Sequence, residues 1–275
     1  MERLNALEWA DGLCFVAFGV RVGIRVTAPE VLPDLLGCLP PEWRLSTTRS
    51  VQWLYSLVSA PSRRHPSRLL HTLYSGPDHL TQGSDFQRLR RILASDIQAQ
   101  LALTSPWRVF VHAGAVGWRG RAIVLPGDNE TGKSTLTAAL VKAGATFFSD
   151  EFAVLDRRGR VHPYPLPLRL REEGGIRSRE IRVEEIGGKP ASKPLPVGLI
   201  LSLRYDPDGP GRLQALTSGR GAMELLVNAT QARLRPGRVV EAVGRAAEDA
   251  TVLKGRRGEA GEMAKEVLSS VCGCW

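Results

Sequence analysis

The segment Gly127-Asp128-Asn129-Glu130-Thr131-Gly132-Lys133-Ser134 meets the pattern G-x-x-x-x-G-K-[ST] at every defined position. Glycines at both ends let the backbone curl until successive N–H groups point inward around phosphate oxygens, and a helix beginning there adds the positive end of its dipole. In such a loop Lys133 reaches the β- and γ-phosphates, the Ser134 hydroxyl holds Mg²⁺ and Thr135 continues the first helical turn. The flanks agree: residues 122–125 are an apolar, strand-like run, and Leu136, Leu140 and Val141 recur at helical spacing over 134–143. Nucleotide binding follows, and the loop accommodates ATP, GTP or pyrophosphate. Glu130 is unusual in it, because a carboxylate beside a triphosphate repels it by about 1 kcal/mol or more at an effective dielectric near 20. It is expected to face solvent or a cation.

A phosphate loop alone serves a kinase and an ATP-driven switch equally well, so the neighbouring residues decide. Asp150-Glu151 lies seventeen residues after Lys133, at the end of a short apolar strand, where a carboxylate could meet Mg²⁺ or take a proton from an acceptor hydroxyl. His112 lies fifteen residues before Gly127 and could approach the same phosphate. The charge on three γ-oxygens calls for arginine, whose planar fork meets two oxygens at once. Candidates are Arg169 and Arg171, then Arg220 between Gly219 and Gly221, where a mobile loop could close.

His112-Ala113-Gly114, the Gly127–Ser134 segment and Ser149-Asp150-Glu151, taken together, resemble the bacterial HPr kinase/phosphorylase family, whose phosphate loop is related to that of phosphoenolpyruvate carboxykinase. The likeness is close over residues 107–175 and looser over 195–271, and the shorter gene-cluster members of the family are the nearest in type. It implies an α/β fold, a mixed central sheet bearing that kind of P-loop. It also implies ATP and Mg²⁺ as cofactors, and transfer of the γ-phosphate to a hydroxyl, serine first, on a peptide, protein or small molecule. By position, Lys133 and Ser134 would bind phosphate and metal, Asp150 would be the base, Glu151 its metal-side partner and His112 an orienting group. The family's downstream Glu-x-Arg-Gly is replaced: Arg171 stands for its arginine, while Arg169 takes the glutamate's place and Glu172 the glycine's. That departure argues against HPr as the acceptor and against the reverse phosphorolysis. The resemblance admits a homo-oligomer. The competing reading is a nucleotide-binding regulatory or accessory protein with little or no phosphotransfer, which would tolerate Asn in place of Asp150.

The elements that must position these residues are legible from periodicity. Residues 106–275 read as a P-loop kinase-like catalytic domain: strands near 107–111, 115–118 and 122–125, the loop and its helix, short strands at 147–149 and 153–155, and a buried central strand at 197–203. Helices follow at 222–229, 239–247 and 259–271. Residues 1–105 read as a small α+β domain: a hairpin over 13–26, a short helix opened by a capping box at Thr27-Ala28-Pro29-Glu30, strands at 51–57 and 69–74, and an amphipathic helix from Ser84 to before Pro106.

The 275 residues are 43% hydrophobic and 24% charged, which excludes a disordered or fibrous chain. Four cysteines without finger-like spacing imply neither a disulfide framework nor a zinc module. No long apolar run suggests a membrane segment, and a cytoplasmic protein is expected. The net charge of +9 includes +5 from residues 157–182, expected beside the triphosphate; no aromatic-interleaved basic patch supports nucleic acid as the partner.

Overall fold

A computed structural model describes residues 2–48, 50–62, 66–127, 132–171, 178–207 and 213–270. The chain divides into two compact units, Met1–Pro106 and Trp107–Trp275.

In the first unit a short helix α1 (Glu2–Asn5) precedes the hairpin β1 (Asp11–Ala17) and β2 (Val20–Val26). Next come the single turn α2 (Leu32–Leu35), β3 (Arg44–Leu45), β4 (Trp53–Pro61), β5 (Leu69–Ser75), β6 (Asp78–Gly83) and the long helix α3 (Phe86–Thr104). The strands form one sheet in the order β3-β1-β2-β4-β5-β6, antiparallel except where β2 meets β4. Asp85 caps α3 by accepting the Arg88 N–H at 2.9 Å, and Leu89, Leu93, Ile97 and Leu101 bury the helix's apolar stripe against the sheet. Asp96 is tied into the same face, accepting from the Tyr55 and Ser75 hydroxyls at 2.7 and 2.9 Å. The expected capping box does not form. The Thr27 hydroxyl donates instead to the Ser59 carbonyl, and the segment breaks into 3-10 turns at Pro29–Val31 and Leu36–Cys38 around α2.

The second unit is a mixed α/β fold. The strand β7 (Val109–Trp118) turns through Arg119 and Gly120, both at positive φ, into β8 (Arg121–Pro126). Beyond the loop lie α4 (Lys133–Lys142), β9 (Thr146–Ser149), β10 (Phe152–Leu155), β11 (Val161–His162) and the hairpin β12 (Leu168–Arg171) and β13 (Ser178–Ile181). The chain continues as β14 (Val197–Tyr205), β15 (Gln214–Leu216), α5 (Ser218–Val227), α6 (Pro236–Ala247), β16 (Thr251–Arg257) and α7 (Ala260–Ser270). The sheet runs β11-β10-β7-β8-β14-β16-β15, with β9 on β7. Its centre, β8-β14-β16, is parallel. Both faces of the centre are covered, which is what a parallel segment requires. Ala122 and Val124 of β8 point towards Leu225 of α5 and Val239 and Val243 of α6, whereas Ile123 and Leu125 point towards Leu136 of α4 and Met263 of α7. A ten-residue helix is marginal alone in water, so this burial is what keeps α4 in place.

Asp156 organises the turn after β10. Its carboxylate accepts the backbone N–H groups of Arg158 and Arg160 and the side chains of Arg160 and His162, all at 2.9–3.1 Å. These bonds and ion pairs hold the Asp156 carboxyl below the ordinary carboxylate range even though burial opposes them. Gly159 completes the turn at φ +72 and is pressed against α6, where a Cβ would stand 2.7 Å from the Ala246 Cα. Gly159→Ala is expected to lose about 2–4 kcal/mol, the sum of a left-handed backbone and a collision that only a shift of α6 relieves. Urea unfolding measures it; a loss below 0.5 kcal/mol (about half a typical single-site effect) would show that α6 is not seated on this turn.

Candidate active site

The C-terminal ends of the parallel strands gather the residues with chemistry. β8 delivers the chain to Gly127, and α4 starts at Gly132, whose φ of +80 suits glycine. The Gly132 carbonyl takes the first helical bond, from the Leu136 N–H at 3.1 Å. The Lys133 ammonium donates to the Gly127 carbonyl, so the two ends of the loop are tied together. Asp128, Asn129, Glu130 and Thr131 lie outside the described residues. Ser134 is half-buried in the first turn of α4, and Thr135 is exposed beside it.

Asp150 and Glu151 occupy the corner between β9 and β10, and Ser149 builds that corner. Its hydroxyl accepts the N–H groups of Glu151 and Phe152 at 3.3 and 3.0 Å, which fixes the two carboxylates on a tight turn. The Glu151 carbonyl in turn accepts from the Ala113 N–H at 3.3 Å and from His112 Nδ1 at 3.0 Å, locking the corner onto β7 and fixing the proton of that imidazole on Nδ1. The Glu151 carboxylate lies 3.9 Å from the same nitrogen. His112 is held by its backbone as well, through a 2.8 Å bond to the Asn228 carbonyl in the turn after α5.

Asp150 sits deeper. Its Oδ1 is buried without a hydrogen-bond partner among the described residues. Burial pushes its carboxyl above the usual carboxylate range; the Ser134 hydroxyl opposes that most strongly, Glu151's charge adds to it, and Lys133 and the Thr137 hydroxyl pull it down. The structure therefore brings Lys133, Ser134, Asp150 and Glu151 into one electrostatic neighbourhood, with His112 attached through Glu151. Close packing of α4 on β7 makes this neighbourhood, and Gly114 permits it: a Cβ there would stand 2.5 Å from Thr137 Oγ1. An orphaned buried carboxylate oxygen beside a serine hydroxyl is a hard oxygen donor set, and it fits Mg²⁺.

The expected arginines fare differently. Arg169 is exposed and pairs with Glu180 across β12 and β13 at 3.3 Å, which commits it to that hairpin. Arg171 ends β12, and only its backbone is described. Arg220 lies in no mobile loop; the Thr217 hydroxyl accepts its N–H at 3.3 Å and places it, exposed, in the first turn of α5. The basic stretch is corrected too. Arg157 and Arg158 line a cavity with Arg121, Pro196 and Val197, at the starts of β8 and β14, whereas the loop leaves the end of β8 about 17 Å away at 3.3 Å per residue.

One arginine escaped the sequence reading. Arg257, the last residue of β16, is 3% exposed; its Nη2 donates to the Gly132 carbonyl at 2.9 Å and its Nη1 to the Gly258 carbonyl at 2.8 Å. A Cβ on Gly132 would collide with that Nη2. Nothing local in Lys254-Gly255-Arg256-Arg257 sets it apart from a solvated turn.

No family model matches the chain, and no curated protein does. Among solved structures, the Hpr(Ser) kinase/phosphatase from Coxiella burnetii matches at 16% identity over 60% of this chain and 95% of that one, with a TM-score of 0.30. Among the described residues, no helix is long and apolar enough to cross a membrane.

Because burial raises the Asp150 carboxyl, the folded chain holds this proton more tightly than the unfolded chain does. The resulting cost to stability is absent below the ordinary value of 3.8 and grows as pH rises from there through the raised folded value. Asp150→Asn is expected to melt above the parent chain at pH 7, with the gap shrinking towards pH 4. Thermal scans across that range check it, and a gap independent of pH would show the carboxyl to be unperturbed.

Proposed function

We propose that the chain is an ATP-dependent kinase that transfers the γ-phosphate to a hydroxyl, serine first, of a peptide, protein or small molecule. One observation carries the reading: the Asp150 carboxyl, raised by burial and with its Oδ1 unpartnered among the described residues, faces the first turn of the loop's helix, where Lys133 and Ser134 stand. A binding protein has no need of such a group, and its burial costs stability. A kinase does need it, as a base whose proton affinity has been raised towards that required to accept a hydroxyl proton.

Gly127, the loop that follows it and the N-terminal turn of α4 would hold the triphosphate, with Lys133 at the β- and γ-phosphates and Thr135 at the loop's margin. Ser134, Asp150 and Glu151 would hold Mg²⁺, which when bound neutralises phosphate charge. The acceptor hydroxyl attacks the γ-phosphorus in line, Asp150 takes its proton, the bond to the β-phosphate oxygen breaks and ADP leaves. His112 fixes the Glu151 corner from below, an orienting task that its 3.0 Å bond suits. Arg171 remains the candidate on the β12 side of the site. The more exposed Glu151 and the turn at Asn228 mark the side from which an acceptor would enter.

The test uses γ-labelled ATP, Mg²⁺ and serine-bearing candidates, beginning with peptides encoded beside the gene. Label is expected to move to an acceptor hydroxyl. Lys133→Ala should abolish nucleotide binding. Asp150→Asn should bind nucleotide and lose transfer by about 10²–10⁴-fold, the usual worth of a positioned base. Release of label only as free phosphate defeats the kinase reading and leaves a nucleotide-binding regulatory protein, and a fully active Asp150→Asn defeats the base assignment.

A further inference from the structure

We propose that Arg257 is a second phosphate-binding cation of this site, contacting the terminal phosphate of the bound nucleotide while it pins the Gly132 carbonyl at the start of α4. This inference rests on the nucleotide reading above for the identity of the ligand, and on this chain's geometry for the rest.

A guanidinium has five N–H donors, and Arg257 uses two of them on the neutral carbonyls of Gly132 and Gly258. Its flat face lies over the Tyr205 ring, 5.2 Å from the centroid, which leaves the donor-bearing edge to be satisfied. Among the described residues no carboxylate lies within ion-pair distance of it; Glu259 acts on it only through its field. Burial pulls its pKa below the usual arginine value, and the field of Glu259 offsets that only in part. Charge this deeply placed is normally paired, because desolvating it alone is costly.

Location says which anion would pair with it. Arg257 ends β16, whose parallel partner β14 and the next strand β8 run in the same direction and end on the same side of the sheet, and ligands bind outside the carboxyl ends of such strands. Gly132, Lys133 and Arg257 line one small cavity there together with Leu125, Leu201 and Leu203. The cavity is itself no larger than a water molecule, so it marks where the two cations converge at the start of α4 and not the phosphate's own seat. The bond to Gly132 adds a positioning effect. With its carbonyl held by Arg257 and by the Leu136 N–H, the peptide between Gly132 and Lys133 is fixed in orientation at the start of α4.

The experiment measures binding of Mg-ATP and of inorganic tripolyphosphate by calorimetry over a range of salt, with thermal unfolding of each protein alongside. Three full-length chains are compared: the parent, Arg257→Gln and Arg257→Lys. Arg257→Gln is expected to weaken both ligands by about ten- to a hundredfold, the worth of one charge-assisted hydrogen bond, and to flatten the dependence of affinity on salt. Arg257→Lys is expected to keep the parent's salt dependence while binding more weakly, since one ammonium cannot hold the carbonyl and the phosphate together. A purely structural arginine gives the opposite pattern: Arg257→Gln melts earlier yet binds with parental affinity and salt dependence, and that overturns the proposal. If Arg257→Gln does not fold, Arg257→Lys decides alone, weaker binding supporting the proposal and parental binding overturning it. A parent that binds tripolyphosphate but no nucleotide defeats the nucleotide reading, while the same variants still decide the role of Arg257. A parent that binds neither overturns both.

Discussion

The setting of the Asp150 carboxylate against the start of α4, with one of its oxygens fully buried, is the constraint on which the described part of the second unit turns. A buried carboxylate tolerates few neighbours: it needs hydroxyls and cations close by, and no second anion that it must share them with. Ser134, Thr137 and Lys133 meet that need from one helix. All three lie on its first turn and a half, so α4 has to begin at the correct place and rotation. Gly132 sets the place through its left-handed φ, and the close approach at Gly114 sets the depth. The Ser149 hydroxyl supplies the opposing requirement by turning the chain so that Glu151 faces His112 while Asp150 faces inward. Two adjacent carboxylates thereby acquire different surroundings, which is how one of them can be perturbed while its neighbour stays at the surface.

The sheet explains why these pieces converge. Three parallel strands, β8, β14 and β16, end on one side of the sheet, and each contributes to the candidate site: β8 leads into Gly127, β14 carries Leu201 and Leu203, and β16 carries Arg257. Parallel strands place like ends together in a way that antiparallel neighbours do not. The price of this geometry is that both faces of the centre must be covered, and α4 and α7 on one face with α5 and α6 on the other do so through residues that alternate along β8. The helix that presents Lys133 is therefore also a structural wall, and substitutions that loosen its apolar side would displace the chemistry at its end.

Local patterns that decide their own structure were legible in the sequence. The apolar run at 197–203 forms the buried β14, and the spacing of Leu136, Leu140 and Val141 forms α4. Elements stabilised by distant partners were not. β16 opens with Thr251-Val252-Leu253, but its second half, Lys254, Gly255, Arg256 and Arg257, has poor strand propensity and is held because β14 supplies parallel hydrogen-bonding partners and Tyr205 a ring to stack on. β6, with Asp78, Thr81 and Gln82, similarly depends on β5. Thr27 shows the same competition at small scale: it has the spacing of a helix cap, yet the Ser59 carbonyl on β4 claims its hydroxyl.

Charge taught the same lesson most sharply. Counting placed the surplus of positive charge in residues 157–182, and adjacency in sequence suggested that it faced the phosphate. In the fold, Arg160 is bound to Asp156, Arg169 to Glu180 and Arg179 to Glu185, while Arg157 and Arg158 lie at the opposite end of the central strands. The exposed pairs, Arg169 with Glu180 and Arg179 with Glu185, contribute little individually. The arginine near the loop comes from a different part of the chain and is a single residue, but it is buried, and a Coulomb interaction grows as the dielectric around it falls. For a phosphate site, one desolvated guanidinium placed by a parallel strand outweighs several solvated ones placed by sequence proximity.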